Sequence, residues 1–469
     1  MFGVRIRSLT QRVTSPLRRD GRTHPIVRRV SPTEFPEGPH GAPTHLSEPD
    51  ACGSSPVRLL IYSQDGLGLG HLRRTNEIAG ELLRRRPGSA VLTLQDSPLG
   101  HFFETQPGHD YVKLPSVHKI APGSWEPINL PLAFEDVRAM RRDMLASAVT
   151  GFRPNLVLVD HMPHGAMGEL IPALDALRRV ASPPKVVLGL RDILDSPEVI
   201  IDRWNIEGAC QTIERYYDLV LVYGSRDVFD LAERYRLTDT VAAKIRYCGY
   251  LCTSAVARDP QKVRARYTGR GEPGKLLVAM AGGGADAYPM MRSLIEAVSL
   301  LQAAERPAVI MGIGPFLPAA ERQTLQHLSA GLPVRIVSSI SDPLSYIEAA
   351  DLVVTMAGYN TTVEILRSST PALLIPRRGP SAEQRTRVRL FKERGWVDAV
   401  DPNDLSGEVL VGRIRDGLRR GSLDAGRARP DLHGLDVAVQ HLESLLAPQD
   451  PQLAMQDPSE VEELEATIA

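Results

Sequence analysis

The feature that most constrains this chain is an alternation that starts twice. The apolar run Val57-Arg-Leu-Leu-Ile-Tyr62 leads into Asp65-Gly-Leu-Gly-Leu-Gly-His-Leu72. A helical pattern follows through about Arg86, with Ile78, Ala79, Leu82 and Leu83 as its apolar face. In the second half, Lys275-Leu-Leu-Val-Ala-Met-Ala281 leads into Gly282-Gly-Gly284 and a helical pattern from Tyr288 to Gln302. Further short strands are expected near 89–94, 111–114, 155–159, 185–190, 218–223 and 244–248, then near 307–312, 334–338, 351–355 and 371–375. Helical stretches separate most of them, at about 134–149, 167–181, 203–216 and 226–235, then 319–329, 343–349, 360–368 and 383–394. Short, almost wholly apolar strands between helices imply parallel sheets covered on both faces. The expectation is an α/β protein with two Rossmann-like parallel-sheet domains facing across a cleft, where the carboxyl edges of such sheets bind ligands.

A length of 469 residues suits two or three domains. The expected division is a disordered Arg-rich extension over 1–56, an N-terminal Rossmann-like domain over 57–250 and a linker over 251–274. A C-terminal Rossmann-like domain over 275–430 and a terminal helix with an acidic disordered tail over 431–469 complete it. Residues 1–56 carry eight arginines against five acids and no sustained apolar period. A net charge of −1 and a pI near 6.9 argue against a general nucleic-acid binder. No apolar run approaches the roughly 18 residues of a membrane span. Cys52, Cys210, Cys248 and Cys252 form neither a disulfide framework nor a zinc pattern.

The candidate site residues stand at strand ends. His71 closes the first glycine loop, which includes Gly68 and Gly70, at a helix start, where an imidazole suits proton transfer; a helix-start hydrogen bonder is the other reading. Asp160 and His161 end one strand, with His164 in the next turn, and Arg191 ends another. His161 and His164 lack a third ligand in matching context, so no metal is assigned. Residues 116–133 read as a long loop carrying Trp125, Ile128, Leu130 and Leu132, either a binding loop or a segment folded on its own apolar residues. In the second half, Asp351 to Leu366 reads as a buried strand, a tight glycine turn at Gly358 and a helix opening at Asn360 and Thr361. The free N–H groups and the dipole of such a helix start favour a phosphate. Asn360 or Thr361 could cap it, and Glu364 lies within reach of a ribose. An ordinary strand-to-helix connection is the alternative.

Met356-Ala-Gly-Tyr-Asn-Thr-Thr-Val-Glu364 resembles the nucleotide-sugar signature of GT-B glycosyltransferases, most nearly family 28, and extends toward the UDP-glycosyltransferases. The resemblance covers about residues 57–420, in the order Gly66-Leu-Gly-Leu-Gly-His71, Gly282-Gly-Gly284, the signature, and Glu383-Gln384. It implies that the N-terminal domain binds the acceptor and the C-terminal domain the nucleotide sugar, and that the main chain near Ile340 meets the base and Glu364 holds the ribose. It also implies that Gly358, Asn360 and Thr361 flank the pyrophosphate while Glu383 and Gln384 bond the donor sugar. Relatives often carry histidine or arginine where Met356 stands; Arg377 or Arg378 could replace that phosphate donor. Asp286, after the second glycine loop, is not assigned as a ligand.

The chemistry so implied is a metal-independent, inverting transfer from a nucleoside-diphosphate sugar, UDP-linked by resemblance, with no cofactor. Gly282 and Gly283 amides join the helix start in stabilising the leaving group, and His71, oriented by Asp160, takes the acceptor proton. In family 28 relatives this histidine contacts the diphosphate instead, and that role stays open. Arg191 and His164 are candidates for acceptor or phosphate contacts. The acceptor, whether glycan, lipid-linked or small molecule, has no motif. The expected location is cytoplasmic, with peripheral membrane contact as an open alternative. A nucleotide-sugar 2-epimerase of the same fold and a non-catalytic nucleotide-sugar-binding partner protein are the competing classes.

Overall fold

The computed structural model describes residues 56–64, 70–98, 105–121, 124–253, 255–267, 274–379, 381–421 and 429–447. The Arg-rich extension up to residue 55, Gly66 and Gly68 of the first loop, and the acidic tail lie outside them. All the described residues belong to one unit.

Two parallel sheets form the frame. The first contains β1 (Arg58–Ser63), β2 (Ala90–Gln95), β3 (His109–Lys113), β6 (Leu156–Asp160), β7 (Lys185–Arg191), β8 (Leu219–Tyr223) and β9 (Ile245–Tyr247). Between β3 and β6, β4 (Val117–Ala121) and β5 (Ser124–Pro127) pair separately. The second sheet contains β10 (Leu276–Met280), β11 (Ala308–Gly312), β12 (Val334–Val337), β13 (Leu352–Thr355), β14 (Ala372–Leu374) and β15 (Asp398–Ala399). The strand orders are β3-β2-β1-β6-β7-β8-β9 and β12-β11-β10-β13-β14-β15. In both sheets the chain runs outward from the first strand on one side and then starts again on the other. The reversals lie between β1 and β6 and between β10 and β13, where connections leaving in opposite directions open a crevice at the carboxyl ends. Every residue of β6, β8 and β10 is buried, which is why these strands read as unbroken apolar runs.

Several expected elements differ. Residues 116–133 are not a plain loop: β4 and β5 make an antiparallel hairpin with a register shift between Lys119 and Ala121. Prolines 115, 122 and 127 disguise it in the sequence. Gly208, at φ 66°, breaks the expected 203–216 helix into Pro197–Glu207 and Ala209–Tyr216. The helix expected at 226–235 starts only at Leu231, because Asp230 accepts from Ala232 N and Glu233 N and caps it there. Within the expected linker, Pro260–Ala265 is helical. A further helix, Gly407–Arg420, is additional to those expected.

The last described helix, Gly434–Ser444, returns to the first half. Its Leu435, Ala438, Val439 and Leu442 join the core of the first sheet. Its acids meet the helix Gly70–Arg85 and the residue after it, with Arg85 Nη2 2.6 Å from Asp436 and Arg86 Nε 2.8 Å from Glu443. That core also takes in Ala357, Tyr359, Val363, Leu366 and Phe391 from the second half, so apolar packing joins the two sheets beside the crevices.

Candidate functional site

Asp160 is the last residue of β6, fully buried, and His71 lies in the first turn of the helix that follows β1; the pair therefore straddles the first crevice. His71 Nδ1 is 2.6 Å from Asp160 Oδ2. Arg74 Nη2 donates to the same carboxylate at 3.0 and 3.3 Å, and its guanidinium lies over the rings of Tyr223 and Tyr359. Burial raises the Asp160 pKa, but Arg74 and His71 outweigh it and hold the carboxyl below the ordinary range. Arg74 Nη2 also lies 2.9 Å from His71 Nδ1, so the ionised Asp160 and Arg74 together orient the imidazole. The expected orientation of His71 by Asp160 is thus a contact in the structure.

Beside them stands His161, which the sequence offers as a strand-end residue and as half of a dismissed metal pair, with no role assigned. Its φ of 78° is unusual for a residue with a Cβ. Its ring lies 5.1 Å from that of His71, and its Nδ1 has no hydrogen-bond partner among the described residues. Burial, then Arg191 and His71, push its pKa well down, so the imidazole is neutral.

Across from the histidines is the helix Tyr359–Arg367, which follows β13. Neither Asn360 nor Thr361 caps it; of the two roles open to them, cap or side-chain donor, Asn360 takes the second. It reaches across, donating from Nδ2 to Gly70 O at 3.1 Å. Gly358 has φ −65° and ψ 142°, an ordinary extended conformation, and a Cβ added there would have no neighbour nearer than 3.7 Å. No local turn demands a glycine there, and among the described residues only Met356 O comes within 4 Å of such a Cβ. Thr361 is half-buried in the first turn. Glu364 is 3% exposed and pairs with Arg73 of the opposite half through both oxygens, the longer contact being 3.4 Å.

Glu383 does not face open space. It is buried between Arg191 Nη1 at 2.8 Å and Arg387 Nη2 at 2.9 Å. Arg387 also donates to Asp192 at 2.6 and 2.8 Å and to Ala357 O at 2.9 Å. Gln384 Oε1 accepts from Arg377 N at 3.0 Å. In the second glycine loop, Gly282 and Gly284 have φ of 61° and 88°, and a Cβ on Gly284 would lie 2.1 Å from Ile313 O. Gly283 O accepts from Phe316 N at 2.9 Å. Ile340 is half-buried against Gly312 at the end of β11. Met356 points into the core of the second sheet. Arg378 Nε is committed to Pro402 O at 3.0 Å, and Arg377 Nη1 lies 3.5 Å from Asp286. His164 Nε2 stands 3.4 Å from Glu207. Among the described residues, no group of three or more His, Cys, Asp or Glu is placed to hold a metal ion.

Sequence reasoning missed Arg73, Arg74 and Arg387. A signal for the first two was present: the helix Gly70–Arg85 has no acid in its first turn but carries His71, Arg73 and Arg74 near it. Cations oppose the dipole at a helix start, so their presence implies acidic partners or an anionic ligand.

Residues 277–431 match the glycosyltransferase family 28 C-terminal domain. That matched stretch holds Gly282, Glu364, Glu383 and Arg387, and its helix Tyr359–Arg367 faces the histidines of the first half. A UDP-N-acetylglucosamine--N-acetylmuramyl-(pentapeptide) pyrophosphoryl-undecaprenol N-acetylglucosamine transferase of Paracidovorax citrulli is 31% identical over 169 residues, 35% of this chain and 45% of that protein. The namesake of Bordetella petrii is 33% identical over 179 residues, 38% of this chain and 46% of that protein. The matches thus span less than half the length of these relatives. Among solved structures, MurG of Acinetobacter baumannii superposes with a TM-score of 0.51 at 13% identity, over 82% of this chain and 99% of that one. A putative UDP-N-acetylglucosamine 2-epimerase from Listeria monocytogenes gives 0.57 at 14% identity, over 84% and 98%. The calicheamicin glycosyltransferase CalG4 gives 0.51 at 17%, over 85% and 100%. The fold is therefore GT-B, as expected from the signature.

Proposed function

We propose that the chain transfers a sugar from a UDP-linked donor to an acceptor hydroxyl, with inversion and without a metal or cofactor. The observation that carries this reading is the bond from Asn360 Nδ2 to Gly70 O, 3.1 Å. It holds the start of the signature helix against the first residue of the helix that carries His71. In one displacement, the acceptor oxygen bonds to the anomeric carbon as its proton passes to His71 Nε2. The bond from that carbon to the β-phosphate oxygen breaks, and UDP leaves with the electron pair. Asp160 stabilises the imidazolium so formed, while N–H groups at the starts of the helices and the loop Gly282–Gly284 receive the developing charge.

The base is assigned to uracil because the relatives' printed names carry a UDP donor. The same names carry an undecaprenol-linked acceptor; here a lipid-linked, glycan or small-molecule acceptor is to be found by screening. No helix among the described residues is long and apolar enough to cross a membrane. We place the protein in the cytoplasm, with any membrane contact peripheral. Arg191, at the end of β7, and His164, just after β6, are the proposed acceptor or phosphate contacts.

The test is donor turnover with a panel of acceptors, beside calorimetric UDP titration without added metal. His71→Ala should reduce turnover at least about 100-fold, the usual scale of a general base, while UDP still binds. Unchanged turnover in that variant removes His71 from the mechanism. The Listeria neighbour keeps one second reading in view: conversion of the UDP-sugar to its 2-epimer with no acceptor present would replace transfer by epimerisation.

A further inference from the structure

Glu364 is 3% exposed, yet its neutralising partner comes from the other half of the molecule: Arg73, whose side chain is 24% exposed. If Glu364 is the ribose ligand, as the donor-site reading above holds and on which this inference rests, then Arg73 occupies the ribose position when no nucleotide is bound. Two hydroxyl groups cannot reach the carboxylate until the guanidinium leaves it. Its destination is constrained. Asn360 fixes Gly70, three residues before Arg73, to the first turn of the signature helix. Four residues separate Asn360 from Glu364, a rise of about 6 Å along the helix axis, which an arginine side chain spans by rotation about its own bonds. Most nearby arginines are less free to serve. Arg74 is buried on Asp160, Arg387 on Asp192 and Glu383, and Arg378 is turned to Pro402, whereas Arg377, 28% exposed and 3.5 Å from Asp286, is the other arginine able to turn to a phosphate. The signature itself supplies no cation, because Met356 is buried in the core.

We infer that Arg73 exchanges partners on donor binding: it releases Glu364 to the ribose and moves to the diphosphate of a nucleoside diphosphate. The same charge that keeps the buried carboxylate compensated in the free protein then becomes a leaving-group ligand. A nucleoside alone must displace Arg73 and offers it no phosphate in return, so its apparent affinity is reduced by the fraction of molecules in which Glu364 is free. A nucleoside diphosphate recovers that cost through a charge-assisted contact.

The test compares uridine and UDP, titrated calorimetrically against the full chain as wild type, Arg73→Gln and Arg73→Lys, with thermal melts to confirm folding. Arg73→Gln should bind uridine more tightly and UDP more weakly. The ratio of the two dissociation constants should thereby collapse by about tenfold or more, the worth of one charge-assisted phosphate contact. Arg73→Lys, which keeps a cation, should retain most of the wild-type ratio. Tightening of both ligands in Arg73→Gln would make Arg73 a plug and nothing more, and would overturn the exchange. An unchanged ratio would overturn it as well. Absence of UDP binding by the wild type would bring down the donor-site reading and the exchange with it.

Discussion

Replacing Arg387 with methionine tests how the two halves are held beside the cleft. The Arg387 side chain is 1% exposed and makes two bonds to Asp192, one to Glu383 and one to Ala357 O. Methionine fills much of the volume but offers no donor. The two carboxylates then fare differently: Glu383 keeps Arg191 at 2.8 Å, whereas Asp192, 3% exposed in its side chain, loses its guanidinium. Leaving one buried carboxylate uncompensated costs about 3–5 kcal/mol. Arg389 and Glu393 provide the control, an ion pair at 2.9 Å on the same helix with side chains 61% and 53% exposed. Breaking that pair with Arg389→Met should cost less than about 1 kcal/mol. Urea denaturation followed by both far-ultraviolet circular dichroism and tryptophan fluorescence gives the comparison. The double variant Arg387→Met with Asp192→Asn should recover part of the loss, because the uncompensated charge is gone; strictly additive losses would contradict the account. An Arg387→Met midpoint equal to that of Arg389→Met would refute it.

Acid should unfold the chain through the same contacts. Burial raises the Glu383 pKa, but Arg191 and Arg387 outweigh it and leave it lowered, as Arg74 and His71 do for Asp160. The unfolded chain therefore binds more protons at these sites. Their stabilisation is full above the unfolded carboxylate value of about 4 and is lost as pH falls through the lower folded values. Stability measured from pH 7 downward should fall in that acid window, less steeply in Glu383→Gln than in the wild type. Gly284→Ala should prevent accumulation of folded protein, since its Cβ would meet Ile313 O at 2.1 Å. Gly282→Ala, with φ 61° but no atom within 4 Å, should cost only about 1–2 kcal/mol, and equal thermal melts would contradict the distinction. His161→Asn keeps a residue that tolerates the left-handed backbone, so stability should change by less than about 1 kcal/mol. Turnover should nevertheless fall at least about tenfold if the neutral ring beside His71 shapes the proton path, and unchanged turnover would make the strained histidine structural.

The two parallel sheets were legible because their central strands are buried on both faces: Leu156–Val159 and Leu276–Met280 contain no polar residue to obscure them, whereas the strand order had no such signal. The placement of His71 and Asp160 at one crevice followed from the same cause, since a polar residue that ends such a run lies at a sheet edge. The hairpin at 117–127 was not legible, because only Val117 among its described apolar side chains is deeply buried and its prolines read as loop. Gly208 was ambiguous for a different reason. A glycine within a helical pattern can be tolerated or can terminate it, and only the φ of 66° decides.

Contacts between the halves escaped the sequence almost entirely, and their chemistry explains why. Arg73 with Glu364, Arg191 with Glu383, and Arg387 with Asp192 join residues far apart in the chain, and no periodicity marks a charged side chain as buried. Yet two of these acids, Glu364 and Glu383, are the ones a nucleotide-sugar site of this type would present to its ligand. On the proposed reading the cleft holds a ribose and a sugar and so needs acceptor groups, and burying such groups without a ligand requires cations from the facing half. Two arginines just after His71, at a helix start where the dipole disfavours them, are the trace of that requirement in the sequence.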